Sequence, residues 1–222
     1  MILNDLQIRA LCEGDESSMI APYAEKQYRQ MWCSRATDRT IPVISFGQSS
    51  FGYDIRLGTE GLHRFVDPTI DHASIWSDSW RDDLKPLVLP TIDPKSFDAT
   101  KCITNLSVER DKTGTFYTLP PRAYALGVSV ETFDLPHNVF GICYCKSTYA
   151  RCGLMVNTTP LEPGWRGQLV IELANLTDLP MKVYANEGIA QVVFFKGDRP
   201  AVTYGDRAGK YQNQTGITTA RI

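Results

Sequence analysis

The sequence predicts a mainly β protein with a few short helices, a sandwich or barrel rather than a helical bundle. Three observations carry this. From Ile41 onward, short β-branched and aromatic runs are separated by Gly, Pro, Asp and Asn at short intervals. Four segments in the second half read clearly as strands. The chain has 222 residues, 43% of them hydrophobic, which suits one large domain with its own core better than two small ones. Gly (16) and Pro (13) stand near average usage, so disorder, collagen and coiled coil are not expected.

The first element reads as a short helix. Asn4 can cap it, Asp5 suits its first turn, and Leu6, Ala10 and Leu11 share a face before Gly14. The polar and aromatic residues 25–40 have no clear period, and residues 1–40 are taken as an N-terminal helical segment. Residues 49–57 enter a strand in which alternation places Asp54 and Arg56 on one face, where they can form an ion pair. Residues 63–90, with Trp76 and Trp80 amid Asp and Ser, read as a long loop or an inserted hairpin. Strands follow over 122–131, 138–145, 167–175 and 188–195, punctuated by Pro120, Pro121, Pro136, Pro163 and Pro180. The tail over 209–216 is polar and lacks a core face.

Charge and cysteine usage narrow the function. With 23 basic and 25 acidic residues the net charge is -2, which excludes a nucleic-acid coat but leaves room for a small anionic ligand. Six cysteines without a CxxC pair are too sparse for a secreted disulfide scaffold. No signal-peptide pattern or long apolar run is read, so a cytoplasmic chain with reduced thiols is expected. Cys143 and Cys145 share one strand face, but His63, His72 and His137 offer no ligand spacing, so buried, inert thiols are expected there and no metal site. Neither the zinc-deaminase pattern nor a Gly-x-Ser-x-Gly elbow occurs.

Besides residues 49–57, which read as structural, two places can hold chemistry. Residues 146–153 follow a strand, have helix character and close on Gly153. Ser147 is a good N-cap, and Arg151 lies four residues on. Free amides at a helix start beside Lys146 and Arg151 make an anion site, although an ordinary capped turn with solvated charges reads the same way. The second place is Glu172. Leu169, Ile171 and Leu173 take one face of its strand, and Val170, Glu172 and Ala174 the other. A mid-strand carboxylate is either solvated or pocketed; in a pocket, desolvation suits it to carry a proton near neutral pH.

Four segments, in order, together resemble the dCTP deaminase family. They are Ser-Ser-Phe-Gly-Tyr-Asp-Ile-Arg (49–56), Lys-Ser-Thr-Tyr-Ala-Arg-Cys-Gly (146–153), Thr-Pro-Leu-Glu-Pro-Gly-Trp-Arg-Gly (159–167) leading to Glu172, and Tyr-Gly-Asp-Arg-Ala-Gly-Lys-Tyr-Gln-Asn-Gln (204–214). The likeness runs from about residue 41 to the end and is weakest over 63–90. It implies a distorted β-barrel of the dUTPase-like superfamily (β-clip), a single domain over 1–222 closed by a tail at 204–222. It further implies a homotrimer with sites between subunits and zinc-independent hydrolytic deamination of dCTP to dUTP and ammonia. In this picture Mg²⁺ rides on the triphosphate, the product feeds dUMP and dTTP synthesis, and dTTP is a feedback inhibitor.

Carried over residue by residue, the resemblance makes Glu172 the acid/base, with Ser147 and Arg151 as catalytic partners. Lys146, Ser147, Thr148, Tyr149, Ala150 and Arg151 cradle phosphates and line the reacting end. Val170 and Ile171 hold the cytosine edge through backbone groups. Gln191, Tyr204 and Gln214 complete the nucleotide site, with Lys210 near the phosphates. Three departures stand out: Cys145 where glycine is more usual, Glu162 where many members have Asp, and Asn157-Thr158-Thr159 without the basic residues some members place there. The alternatives are a dUTP diphosphatase, alone or coupled to deamination with Glu162 activating water, and a nucleotide-sensing homologue without turnover.

Overall fold

A computed structural model of the chain describes residues 1–14, 18–34, 39–66 and 91–221. Most of the segment predicted as an insert, Trp76 and Trp80 included, lies outside the described residues. The elements are α1 (Asp5–Cys12), β1 (Ile20–Ala21), β2 (Tyr28–Ser34), β3 (Arg39–Ser49), β4 (Gly52–Arg56), β5 (Leu62–Phe65), α2 (Ala99–Cys102), β6 (Ile103–Leu106), β7 (Glu109–Asp111), β8 (Gly114–Leu119), β9 (Tyr124–Asp134), β10 (Val139–Cys145), α3 (Ser147–Ala150), β11 (Leu154–Asn157), β12 (Arg166–Asn175), β13 (Met181–Tyr184) and β14 (Gly188–Lys196). Among the described residues, no helix is long and apolar enough to cross a membrane.

The strands form three sheets around one core. One runs β11-β12-β9-β5-β6 with β1 also on β9, a second runs β10-β14-β4-β3-β2, and a third runs β13-β8-β7. Among the described residues they wrap the core without closing into one continuous barrel, the distorted form expected of this sequence. The four strands read from the second half are present as β9, β10, β12 and β14. Among the described residues, the N-terminal segment is helical only over Asp5–Cys12; β2 then pairs with β3, and Tyr28 and Phe46 stack across the pair at 5.5 Å. Residues 63–65 are not loop. They belong to β5, paired between β6 and β9.

α1 is capped as its sequence predicts, with Asn4 and Gln7 forming a reciprocal capping box. Its buried face differs from the expected one. Ile8 and Cys12, one turn apart, enter the core, while Leu6 is 68% exposed.

Asp54 and Arg56 do share a face of β4, but they do not pair with each other. β4 is buried on both sides, and each charge finds a partner on another element. Asp54 accepts from Lys146 Nζ and Gln27 Nε2, each at 2.5 Å; Arg56 Nε donates to Glu131 Oε1 at 2.7 Å. Burial pushes the Asp54 and Glu131 carboxyls up, and the facing cations oppose this. Charges this deep require such partners, because an unpaired buried carboxylate is strongly destabilising.

Two further polar groups are buried near the sheet ends. Glu187, ahead of β14, accepts from the Ile44 amide at 2.7 Å with Oε2, and burial pushes its carboxyl up to about 7. Asn175 ends β12. Its amide donates to the carbonyls of Leu119, Pro120 and Leu179 at 3.2, 2.9 and 2.8 Å, and its Oδ1 accepts from the Thr177 amide and hydroxyl. This side chain knots the turn after β12 to the loop between β8 and β9.

Asn175→Ala removes all five of these contacts from a buried side chain and should cost about 2–4 kcal/mol in urea unfolding. A loss under about 0.5 kcal/mol would contradict this role. Glu187 predicts a pH dependence. Between the ordinary value of 4.5 and about 7, the folded chain keeps a proton that the unfolded chain releases, so stability falls as pH rises through that window. Glu187→Gln keeps an acceptor for Ile44 and cannot ionise. Its urea midpoint should fall less across the window than that of the parent protein, and a decline equal to that of the parent protein would refute the assignment.

Candidate active site

Antiparallel register places Glu172. On β12 it stands directly opposite Asn157 of β11 on one side and Leu126 of β9 on the other; the row continues to His63 of β5 and Asn105 of β6. Directly opposed residues of antiparallel strands point to the same face. The other face of β12 carries Leu169, Ile171 and Leu173 into the core at 4%, 0% and 0% exposure. The predicted alternation therefore holds, and it puts Glu172 on the face away from the core.

A cavity of about 350 Å³ lies over that face. Glu172 and Val170 form part of its floor. Phe65, Phe97 and Tyr124 form an aromatic wall, with Phe65 edge-on to Tyr124 at 5.1 Å between centroids. Burial, together with the nearby Glu172 carboxylate, pushes the Tyr124 hydroxyl up to about 12. Asn157 Nδ2 donates to Glu172 Oε2 at 2.5 Å. Among the described residues, the wall contains the carboxylates of Glu162 and Glu172 and no lysine or arginine. Glu162 is met by Arg207 in an ion pair outside the wall.

The C-terminal tail covers the opening. Trp165 Nε1 donates to the Tyr211 carbonyl at 3.0 Å, the Tyr211 amide donates to the Tyr204 hydroxyl at 3.0 Å, and Gln214 Nε2 donates to the Gln168 carbonyl at 2.8 Å. The strand beneath must come very close. A Cβ on Gly167, whose φ is 150°, would stand 2.8 Å from the Gln214 carbonyl oxygen, so only glycine fits. A tail without a core face is thus held by hydrogen bonds.

α3 is built differently from its sequence reading. Its N-cap is Lys146, not Ser147. The chain enters the helix straight from β10, so the Lys146 carbonyl accepts the Tyr149 and Ala150 amides and Ser147 is already helical. The Lys146 ammonium turns inward to Asp54. Tyr149 also turns inward, 3% exposed, and its hydroxyl accepts the Tyr184 amide at 2.8 Å. Ser147, Thr148, Ala150 and Arg151 are exposed on the outer side.

Of the residues singled out in the sequence, the cavity gathers Val170, Glu172, Tyr204 and Gln214. Ile171 lies directly behind, in the core. Residues 146–151, Gln191 and Lys210 stand outside the cavity wall. Gln191 is on the second sheet, donating to Ser49 Oγ at 3.0 Å, and Lys210 Nζ donates to the Arg221 carbonyl at 2.6 Å. Cys143 and Cys145 also lie on the second sheet, on β10; desolvation pushes the Cys143 thiol up to about 12. Sequence reasoning missed Asn157 as the partner of Glu172 and the aromatic wall. The first needs the β11–β12 register, and the second joins three segments distant in the chain.

Comparison with known proteins gives the family. A family model described as dCTP deaminase-like matches residues 2–197. A dCTP deaminase of Campylobacter curvus (strain 525.92) is 42% identical over 221 residues, 99% of this chain and 97% of that one. A dCTP deaminase of Azotobacter vinelandii is 41% identical over 218 residues, 98% of this chain and 97% of that one. Among solved structures, 2'-deoxycytidine 5'-triphosphate deaminase from Agrobacterium tumefaciens is similar with a TM-score of 0.49 and 15% identity, covering 88% of this chain and 48% of that chain. The likeness therefore begins at residue 2 rather than near residue 41, and the chain belongs to the dCTP deaminase-like family.

Proposed function

We propose that this protein is a hydrolase that converts dCTP to dUTP and ammonia, with Glu172 as the acid/base. The observation that carries the reading is Glu172 itself. It is a carboxylate on the floor of a ring-sized, aromatic-walled cavity, held by one amide donor and facing no cation of its own wall.

The chemistry needs little else. Water adds to C4 of cytosine, one of its protons passes by way of Glu172 to N3, and a tetrahedral centre forms. The second proton reaches the amino nitrogen, the C4–N bond breaks, ammonia leaves and C4=O forms. One carboxylate can carry both protons if it is kept from bulk water. Val170 and Ile171 offer backbone groups at the cavity floor for the cytosine edge. Tyr204 and Gln214 bring the tail over the ring, which excludes water. No zinc takes part in this reading: Cys143 and Cys145 lie on the other sheet, outside the wall that holds Glu172.

Among the described residues, the cavity wall presents carboxylates and no cation that would neutralise a triphosphate. We therefore assign the phosphates and their Mg²⁺, which belongs to the substrate, to the exposed face of α3 on a neighbouring copy, in a homotrimer. There Ser147 and Arg151 supply fixed dipoles and charge, and Gln191 and Lys210 lie at the margin. Asp54 fixes Lys146 and so the start of α3. In this arrangement the whole chain acts as one domain in the cytoplasm, with dTTP competing for the same cavity. The Arg207 pair leaves Glu162 poorly placed to activate water, which weighs against a dUTP diphosphatase.

Glu172→Gln should lower ammonia release from dCTP by roughly 10³-fold while leaving dCTP affinity nearly unchanged. Ser147→Ala and Arg151→Ala should each lower kcat/KM by roughly 10²-fold. Ammonia release at the parent rate from Glu172→Gln would refute the assignment, and pyrophosphate release from dUTP without deamination would replace it.

A further inference from the structure

We propose that Asn157 is a positioning residue that fixes which oxygen of Glu172 carries the proton during turnover. The proposal rests on the reading of Glu172 as the acid/base. Asn157 ends β11, an edge strand, and stands in register directly opposite Glu172. Its side chain is exposed rather than packed in the core, so it is not there to fill space. Its Nδ2 donates to Glu172 Oε2 at 2.5 Å.

An amide nitrogen can only donate, so the oxygen it faces must stay an acceptor. A proton on Oε2 would set donor against donor. The proton taken from water therefore goes to Oε1, which among the described residues has no protein partner and is the oxygen free to face the ring. The same contact is a charge-assisted hydrogen bond to the carboxylate, the form that accepts the first proton. The other titratable groups around Glu172 are few. Tyr124 shares its sheet face, Glu162 stands across the cavity paired with Arg207, Tyr204 and Tyr211 come from the tail, and His63 lies two strands away in the same row.

The experiment compares Asn157→Ala, Asn157→Asp and Asn157→Gln with Glu172→Gln, using dCTP as substrate across pH 5–9. Asn157→Asp keeps the shape but removes the donor, so it serves even if the alanine variant is poorly folded. Loss of a charge-assisted hydrogen bond should lower kcat roughly tenfold or more. KM should change less than about threefold, and the acid limb of kcat should move to higher pH, most in Asn157→Asp, where two carboxylates face each other. Asn157→Gln, which retains an N–H donor, should recover part of the loss. Parent kcat and pH profile in the alanine and aspartate variants, beside an inactive Glu172→Gln, would overturn the role of Asn157 alone. A loss of kcat without movement of the acid limb would also overturn it, showing a merely structural part. An active Glu172→Gln would overturn the reading of Glu172 and this proposal together.

Discussion

The register of β12 between β11 and β9 is the constraint on which the site depends. Side chains alternate along a strand, so a slip of one residue would send Glu172 into the core and bring Leu173 out to the cavity. Several features hold the register. Ile171 and Leu173 are fully buried on the inner face, a bulge between Gln168 and Val170 resets the pairing with β9, and Asn175 anchors the far end through three carbonyls. At the near end, the missing side chain of Gly167 lets the tail lie against the strand. A single strand thus carries the floor of the cavity, its chemical group and the seat of its cover.

The second layer of control is electrostatic. Two buried ion pairs, Asp54 with Lys146 and Arg56 with Glu131, tie β4 to the entrance of α3 and to β9. Buried pairs add little net stability against an apolar alternative, but they tolerate few rearrangements. The result is a short helix held rigidly by Lys146 and Tyr149, with Ser147 and Arg151 left facing outward. The cavity has the opposite character: among the described residues its wall is apolar, aromatic and anionic, without a cation. The proposed division of the site between copies rests on this difference in charge.

Much of this was legible in the sequence where alternation and turn chemistry are local. The strands β9, β10, β12 and β14, the α1 cap at Asn4 and the outward facing of Glu172 all follow from period and punctuation. What the sequence could not show depends on pairing. Asp54 and Arg56 were visible as neighbours on a face, but their true partners lie 92 and 75 residues away, at Lys146 and Glu131. The apolar face of α1 was misassigned because Leu6 and Ile8 are equally apolar, and only tertiary contact decides between them. His63 reads as loop because β5 is short and its neighbours are brought in from β6 and β9. Asn157 carries no signal at all until β11 is laid beside β12.

The division of the site between copies is tested most directly by subunit mixing. Arg151→Ala and Glu172→Gln, each strongly impaired alone, are unfolded together, refolded in equal amounts and assayed with dCTP. If one copy supplies Glu172 and its neighbour Arg151, about a quarter of the sites in a random mixture are intact, and activity returns in proportion. If both residues serve the same copy, no site is intact in any mixture, and activity that stays at the level of the separate variants would contradict the account.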